Sequence, residues 1–405
     1  MKFVAASALA FLLALPAAAP AQVPAAASAA SAITPQAALS RLLAAPAVSA
    51  DWLAPSFIAQ IPASKLDSYI EQYKKTLGTF LRAIPSGRAD EYLAIFTNGT
   101  LPSLIALDDR GRIIELFFRV PQVFSLGSAL EGLRSLPGSV SYVVTEDGKE
   151  TASSGQDHPL SVGSSFKLAV LDALAAQIAR GRRHWDDVVH LQNEWKSLPT
   201  GILQNWPAGS ALTLETLASL MISMSDNTAA DALVHILGRD AIAPYAGDNV
   251  PLLTTHDLFV LKGRDNASLL DQWRSSSIAQ RRALVEQLDR MPLPNADALD
   301  TSPANADVDW SFTNRQLCDL MERVQELPLA SINPGVASPA DWERIAYKGG
   351  SDWGVISMTT WLVARDGKNF CVSATWNDTA AATDETTFEN AYLTLIDSIR
   401  PKSGP

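Results

Sequence analysis

The 405-residue sequence predicts an α+β protein built from two unequal blocks, and three observations carry that reading. The first block, about 34–123, sets helical periodicity ahead of closely spaced strand signals. The second, about 124–400, has strand signals at both ends with helical periodicity between, so its first and last strands must meet in one sheet. An apolar content of 47% over this length is enough for one large core and a second, smaller one.

Each element follows from local pattern. In the first block, residues 35–76 read as helix broken at Pro46, Pro55 and Pro62. Residues 91–120 read as three strands, with turns at Asn98-Gly99 and Asp108-Asp109-Arg110-Gly111. This block is a small α+β domain without a cluster of His, Cys or carboxylates suited to catalysis. The second block opens with a strand over 139–144, a turn at Glu146-Asp147-Gly148 and a return strand through Thr151. A helix over 166–179, apolar nearly all round and stopped by Gly181, is expected to be buried at the centre of its lobe. Helices over 214–224 and 228–237 flank Ser225-Asp226-Asn227. Residues 264–310 are polar, carry Pro292, Pro294 and Pro303, and read as a surface insertion. Strands over 345–347, 355–363 and 370–376 and a helix over 387–399 complete the block.

Composition limits the function. A net charge of −11 with no basic run argues against a nucleic-acid partner. Met1-Lys2, an apolar run over 3–15 and Ala19-Pro20-Ala21 read as an export signal over 1–21, followed by an Ala/Pro/Ser-rich tether over 22–33. The apolar run is short for a bilayer span, so no stable membrane anchor is expected and the mature protein is placed in the periplasm or outside the cell. Cys318 and Cys371 are either a disulfide or two buried thiols. The five histidines show no zinc spacing, and no metal or cofactor is implied.

The chemistry resides in three motifs. Ser164-Ser165-Phe166-Lys167 puts a serine at the positive end of the buried helix, with a lysine three residues on along the same face. Burial of that lysine lowers its pKa and makes it a base for Ser164. On its own this motif is more simply a helix cap with a snorkelling lysine; the other two reverse that reading. Ser225-Asp226-Asn227 supplies a hydroxyl to relay a proton from Lys167 to a leaving group and an amide to orient a substrate carbonyl. Lys348-Gly349-Gly350-Ser351, at a strand end, supplies a positive field, a close-approach edge at Gly350, and a hydroxyl for a substrate carboxylate. The backbone N–H groups of Ser164 and Ser351 form the expected oxyanion hole. A G-x-S-x-G elbow is absent.

In this order and spacing the motifs resemble those of class A serine β-lactamases and, more broadly, penicillin-binding proteins. The resemblance covers about 125–400 and includes Met224-Ser225-Asp226-Asn227-Thr228-Ala229-Ala230. It implies a β-lactamase-like catalytic domain: a helical lobe plus a five-stranded antiparallel sheet flanked by helices, with the site between them. It also implies a small-molecule substrate: a β-lactam, a carboxylic ester or a peptidoglycan-like peptide. Class A enzymes carry a deacylating glutamate on an omega loop. Here residues 238–250 run almost at once into Pro251-Leu252-Leu253-Thr254-Thr255 without a glutamate, and Asp248 is the one carboxylate near the end of that segment. Slow β-lactam turnover is expected, with a D-Ala-D-Ala peptidase or an acylated sensor as alternatives. The two-block layout further resembles the esterase-type protein of clavulanic acid biosynthesis, whose N-terminal domain is similar to the steroid-isomerase/nuclear-transport-factor cone. In that group the N-terminal domain can lend a lysine, although Lys65, Lys74 and Lys75 carry no distinguishing motif. The stretch around Trp206 fits the group, with Trp206 as a wall of the cleft.

Overall fold

The computed structural model describes residues 33–86, 90–123 and 125–401; the export-signal reading and almost all of the tether lie outside them. The first helices are α1 (Pro35–Ala44), α2 (Pro55–Ile58) and α3 (Ala63–Leu77), and a proline stands at or just before the start of each. Gly78, at φ +83°, ends α3. Five strands follow: β1 (Phe80–Pro85), β2 (Glu91–Phe96), β3 (Gly99–Leu107), β4 (Ile113–Phe118) and β5 (Gln122–Val123). They form an antiparallel sheet in the order β1-β2-β3-β4, with β5 also on β3. Strand β1 was not legible in the sequence, being a short run interrupted by Arg82 and closed by Pro85. Arg82 is there for a reason beyond the strand: it faces Asp341 and Asp397 of the second block.

The second block begins with α4 (Leu126–Arg134), whose Ser125 cap accepts from the Ser128 N–H. The hairpin β6 (Ser139–Glu146) and β7 (Lys149–Ser154) comes next, then the two-residue β8 (Leu160–Ser161) and α5 (Lys167–Ala179). The helical lobe continues through β9 (Val188–His190), β10 (Ala211–Thr213), α6 (Leu214–Ser223), α7 (Asn227–Leu237), α8 (Arg239–Ile242) and α9 (Thr255–Leu261). After α10 (Ala267–Ser275), α11 (Ile278–Leu288) and β11 (Ser311–Phe312), helix α12 (Asn314–Val324) returns to the sheet. The chain ends with β12 (Arg344–Asp352), β13 (Val355–Val363), β14 (Asn369–Asn377) and α13 (Glu385–Ile399).

The main sheet has the order β12-β13-β14-β6-β7 and is antiparallel throughout, the architecture the resemblance implies. Its central strands are buried on both faces, because α4 and α13 cover one side and α5 and α12 the other. A sheet covered on both sides leaves no solvent for its polar side chains, so they pair with one another. Ser357 bonds Thr375 at 3.0 Å and Thr359 bonds Ser373 at 2.9 Å. Fully buried Asn314, at the start of α12, accepts from Ser373 and Thr375 at 2.7 and 3.0 Å and donates to Ser141. Cys318 of α12 and Cys371 of β14 form a disulfide, which resolves the two cysteine readings and ties helix to sheet.

The reading of 264–310 as a surface insertion needs correction. Leu269, Leu270, Trp273, Leu284, Val285 and Leu288 are buried in the core of the helical lobe. The segment looked superficial because its apolar residues are sparse, yet they share one face of α10 and α11. Its end reaches the nucleophile helix: Trp310 stacks on Phe166 with ring centroids 3.7 Å apart and an interplanar angle of 13°, while its Nε1 donates to Leu253 O at 3.0 Å.

Truncating Trp310→Ala removes that buried stack and is expected to destabilise the fold by about 3–5 kcal/mol, read by denaturant unfolding. Reducing the disulfide reopens a loop of 53 residues, and the chain-entropy model then gives a loss of about 4 kcal/mol, measured by unfolding with and without reductant.

Candidate active site

A cavity of about 440 Å³ opens between the helical lobe and the exposed edge of the sheet. Ser164, Ser225, Asn227, Lys348, Gly350 and Ser351 all line it. Three separate elements deliver them. Ser164 lies in a 3₁₀ turn (Gly163–Phe166) that runs directly into α5. Ser225 and Asn227 come from the corner between α6 and α7, and the Lys348 group from the edge strand β12.

Lys167, at the first position of α5, is 0% exposed. Its Nζ donates to Ser164 Oγ at 3.0 Å, Ser225 O at 2.7 Å, Ser225 Oγ at 3.1 Å and Asn227 Oδ1 at 2.6 Å. Four oxygens around an amine with three protons at most leave room for one of the hydroxyls to donate back. Burial pulls the Lys167 pKa down from the ordinary lysine value to about 7, against the opposing fields of Asp231 and Asp226. Lys348 Nζ donates to Ser225 Oγ at 3.0 Å, so one hydroxyl bridges the two lysines. Burial and the neighbouring Lys167 push Lys348 well below its ordinary value as well. Two buried amines sharing one hydroxyl resist being charged together, which is the condition for a proton relay.

The corner that presents Ser225 is tightly specified. Ser225 itself has φ +57°, a left-handed conformation unfavourable for a residue with a side chain. Its carbonyl is held by Lys167 and by Thr200 Oγ1 at 2.7 Å. Asp226 caps α7 through Ala229 N at 2.9 Å, while its other oxygen accepts from Ile202 N and Leu203 N at 2.7 and 3.0 Å. Gly201, at φ +108°, is required there, since a Cβ would stand 2.3 Å from the Asp226 carboxyl carbon. One turn along α7, buried Asp231 accepts from Thr255 N, Thr255 Oγ1 and His256 N at 2.7–2.8 Å and so fixes the start of α9. Burial still pushes its carboxyl up to about 7.

Gly350 lets strand β12 press against the nucleophile turn. A Cβ at this position would lie 2.3 Å from Val162 O and 2.5 Å from Ser164 N. A Cβ on Gly163 would likewise lie 2.9 Å from Ser351 N, so the backbone of Ser351 and the nucleophile turn pack closely together. Asn227 is more committed than the sequence suggests: its Oδ1 accepts from Lys167, and its Nδ2 donates to Leu198 O at 3.0 Å, which leaves one amide proton for a substrate.

One expectation fails. Trp206 does not line the cleft; it is 38% exposed, its N–H donates to Leu203 O at 3.0 Å and its carbonyl accepts from Lys196 Nζ at 2.7 Å. The 3₁₀ turn (Leu203–Asn205) before it buries Leu203 and turns the tryptophan outward. The first block lends no lysine to the cavity, for Lys74 donates to Ala45 O within its own block and neither Lys65 nor Lys75 is among the lining residues. Asp248 is exposed and lines a different cavity. Sequence reading missed Asp309, a buried carboxylate in the cavity wall, and the Lys262–Asp352 ion pair beside it. Neither lies in a recognisable motif. Among the described residues no group of three His, Cys, Asp or Glu side chains is arranged to hold a metal ion, and no helix is long and apolar enough to cross a membrane.

A model of the β-lactamase enzyme family matches residues 129–255, a span that holds Ser164, Lys167 and Ser225-Asp226-Asn227 but stops short of Lys348. No curated protein matches the sequence. Among solved structures, a β-lactamase from Sphaerobacter thermophilus is 21% identical, over 68% of this chain and 94% of its own, with a TM-score of 0.43. A structure described as PBP-A is 15% identical, over 67% and 94%, with a TM-score of 0.45. A class A β-lactamase representative from Bacteroides cellulosilyticus is 14% identical, over 68% and 99%, with a TM-score of 0.46. Over that span the chain is similar to the β-lactamase enzyme family, and the match covers the serine–lysine and serine–aspartate–asparagine motifs.

Proposed function

We propose that the protein is an exported serine acyl-hydrolase that forms an acyl-enzyme on Ser164. The observation that carries this reading is the buried Lys167 amine 3.0 Å from Ser164 Oγ, with its pKa drawn down to about 7. A neutral amine there takes the Ser164 proton as Oγ attacks a carbonyl carbon. The N–H groups of Ser164 and Ser351 hold the developing oxyanion. Ser225, bonded to both amines, passes the proton to the leaving group, after which Lys167 is neutral again. Lys348 and Ser351 orient a substrate carboxylate, and the free Asn227 amide proton orients a carbonyl.

The substrate class follows from the same cavity. Its small volume and the Lys348 in its wall suit a compact acyl compound bearing a carboxylate: a β-lactam or a carboxylic ester. Because the segment between Gly238 and Thr255 contains no glutamate, β-lactam turnover is expected to be slow. The disulfide supports export, since such bonds persist in oxidising compartments. Kinship with the clavulanic-acid-type esterase rests on the two-block layout, the missing glutamate and the stretch around Trp206. An acylated sensor or a D-Ala-D-Ala peptidase is the second reading, favoured by the same missing glutamate.

Intact-mass time courses with benzylpenicillin test the reading. An adduct on the wild type that is absent from Ser164→Ala is expected; equal labelling of both proteins would rule Ser164 out as nucleophile. Acylation needs neutral Lys167, so its rate should rise with pH through about 7 and level off above, rather than climb toward the ordinary lysine range. Stopped-flow acylation rates between pH 5 and 9 read this directly (roughly the range that brackets that value). A rate still rising at the alkaline end would remove Lys167 as the base.

A further inference from the structure

The mechanism above accounts for acylation but leaves the acyl-enzyme without a group to activate water. Asp309 occupies the wall of the same cavity as Ser164, and it is 6% exposed. One carboxylate oxygen accepts from Trp310 N at 2.7 Å, and the backbone N–H of Gly163, the residue next to the nucleophile, favours the charged carboxylate. The other oxygen, Oδ2, is buried and has no protein partner. A buried carboxylate oxygen without a donor is costly unless water supplies one.

Behind this wall lies a second, polar cavity of about 300 Å³. Asp309 and Trp310 are the two residues common to both cavities, so they form the partition between them. The remaining walls come from the short loop with Asp248, Asn249 and Pro251 and from the inserted segment with Arg274, Arg281 and Asp307. Those are the two places where the chain departs from the spacing its motifs would otherwise set. The Lys262–Asp352 ion pair stands beside Asp309, the lysine favouring its charged form and the aspartate opposing it. Burial dominates and lifts the Asp309 carboxyl to about 7, a value suited to a base working near neutral pH.

We propose that Asp309 is the base that activates the deacylating water, drawn through the second cavity. This rests on the Ser164 acyl-enzyme reading. The step balances as follows. A water gives one proton to Asp309 Oδ2 while its oxygen bonds to the acyl carbonyl carbon. The carbon–Oγ bond then breaks, and Ser164 Oγ takes a proton from Lys167, which has regained one from solvent after acylation. A carboxylic acid leaves, Asp309 loses its proton to solvent, and Lys167 is neutral, ready for the next acylation.

The test is a pre-steady-state comparison of the wild-type protein and Asp309→Asn with p-nitrophenyl acetate and benzylpenicillin, following nitrophenolate release and adduct mass. Acylation of the variant should stay within about threefold of wild type, while release of the adduct slows by about 10²–10⁴-fold. Hydroxylamine, a strong nucleophile that needs no base, should free the stalled acyl group. Unchanged release, or loss of acylation in the same proportion as release, overturns the proposal and leaves Asp309 as a buttress of the Gly163 turn. Should Asp309→Asn fold poorly, Asp309→Glu keeps a carboxylate in a displaced position; slowed release with acylation held supports the role, and equal loss of both overturns it. No adduct on wild-type protein with either probe is a different failure: it removes the Ser164 reading itself, and this one with it.

Discussion

The site is organised around one constraint, the complete burial of the Lys167 amine. An ammonium taken out of water without a partner is prohibitively unfavourable, so either the protein surrounds it with oxygens or it sheds its charge. Here both happen. Four oxygens converge on Nζ from Ser164, Ser225 and Asn227, and the amine's pKa still falls to about 7. Because those oxygens belong to the nucleophile turn, to the corner after α6 and to the start of α7, satisfying the lysine fixes all three relative to one another. Ser225 is held in a left-handed conformation that would be unfavourable by roughly 1–2 kcal/mol in isolation. It persists because its carbonyl closes the cage around Lys167. The arrangement that makes Lys167 a base also makes its surroundings rigid.

The motif residues were legible in sequence because serine–lysine chemistry restricts residue type and order, and the expected sheet followed from strand signals at both ends of the second block. What escaped were features with no local signature. Asn314 reads as an ordinary residue after a capping threonine, yet it docks α12 onto a buried ladder of Ser357, Ser373 and Thr375. That role exists only because helices cover both faces of the sheet. Trp206 was placed in the cleft by its sequence neighbourhood, but a buried Leu203 in the preceding turn decides its direction. Residues 264–310 were misread for the opposite reason: their polar composition hid one apolar face on each of two helices. Strand β1 was lost between a helix and a proline, and its tertiary partner Asp341 lies more than 250 positions away along the sequence.

The inserted segment does more than fill space. Its last residues, Asp309 and Trp310, pack against the nucleophile turn, since Trp310 stacks on Phe166 and Trp310 O accepts from Val162 N. Gly350 approaches the same turn from strand β12. The turn that carries Ser164 is thus clamped between an edge strand and the insertion. A change in either would be felt at the serine.

Division of labour is the remaining argument. In acylation, Lys167 removes a proton from Ser164 and returns it through Ser225, so one group serves attack and departure in sequence. In deacylation, the departing atom is Ser164 Oγ itself, and it must be protonated while water is being deprotonated. If Lys167 performed both tasks it would have to accept and donate in one event, with its donors already engaged by Ser225 and Asn227. A carboxylate in the wall of the same cavity separates the tasks: Asp309 takes the proton from water and Lys167 gives one to Oγ. Their pKa values, both near 7 and reached from opposite directions by burial, allow each to hold or release a proton at the same pH. On this view the short loop and the insertion are one adaptation, moving the water's base from the loop after α7 to the strand edge before α12.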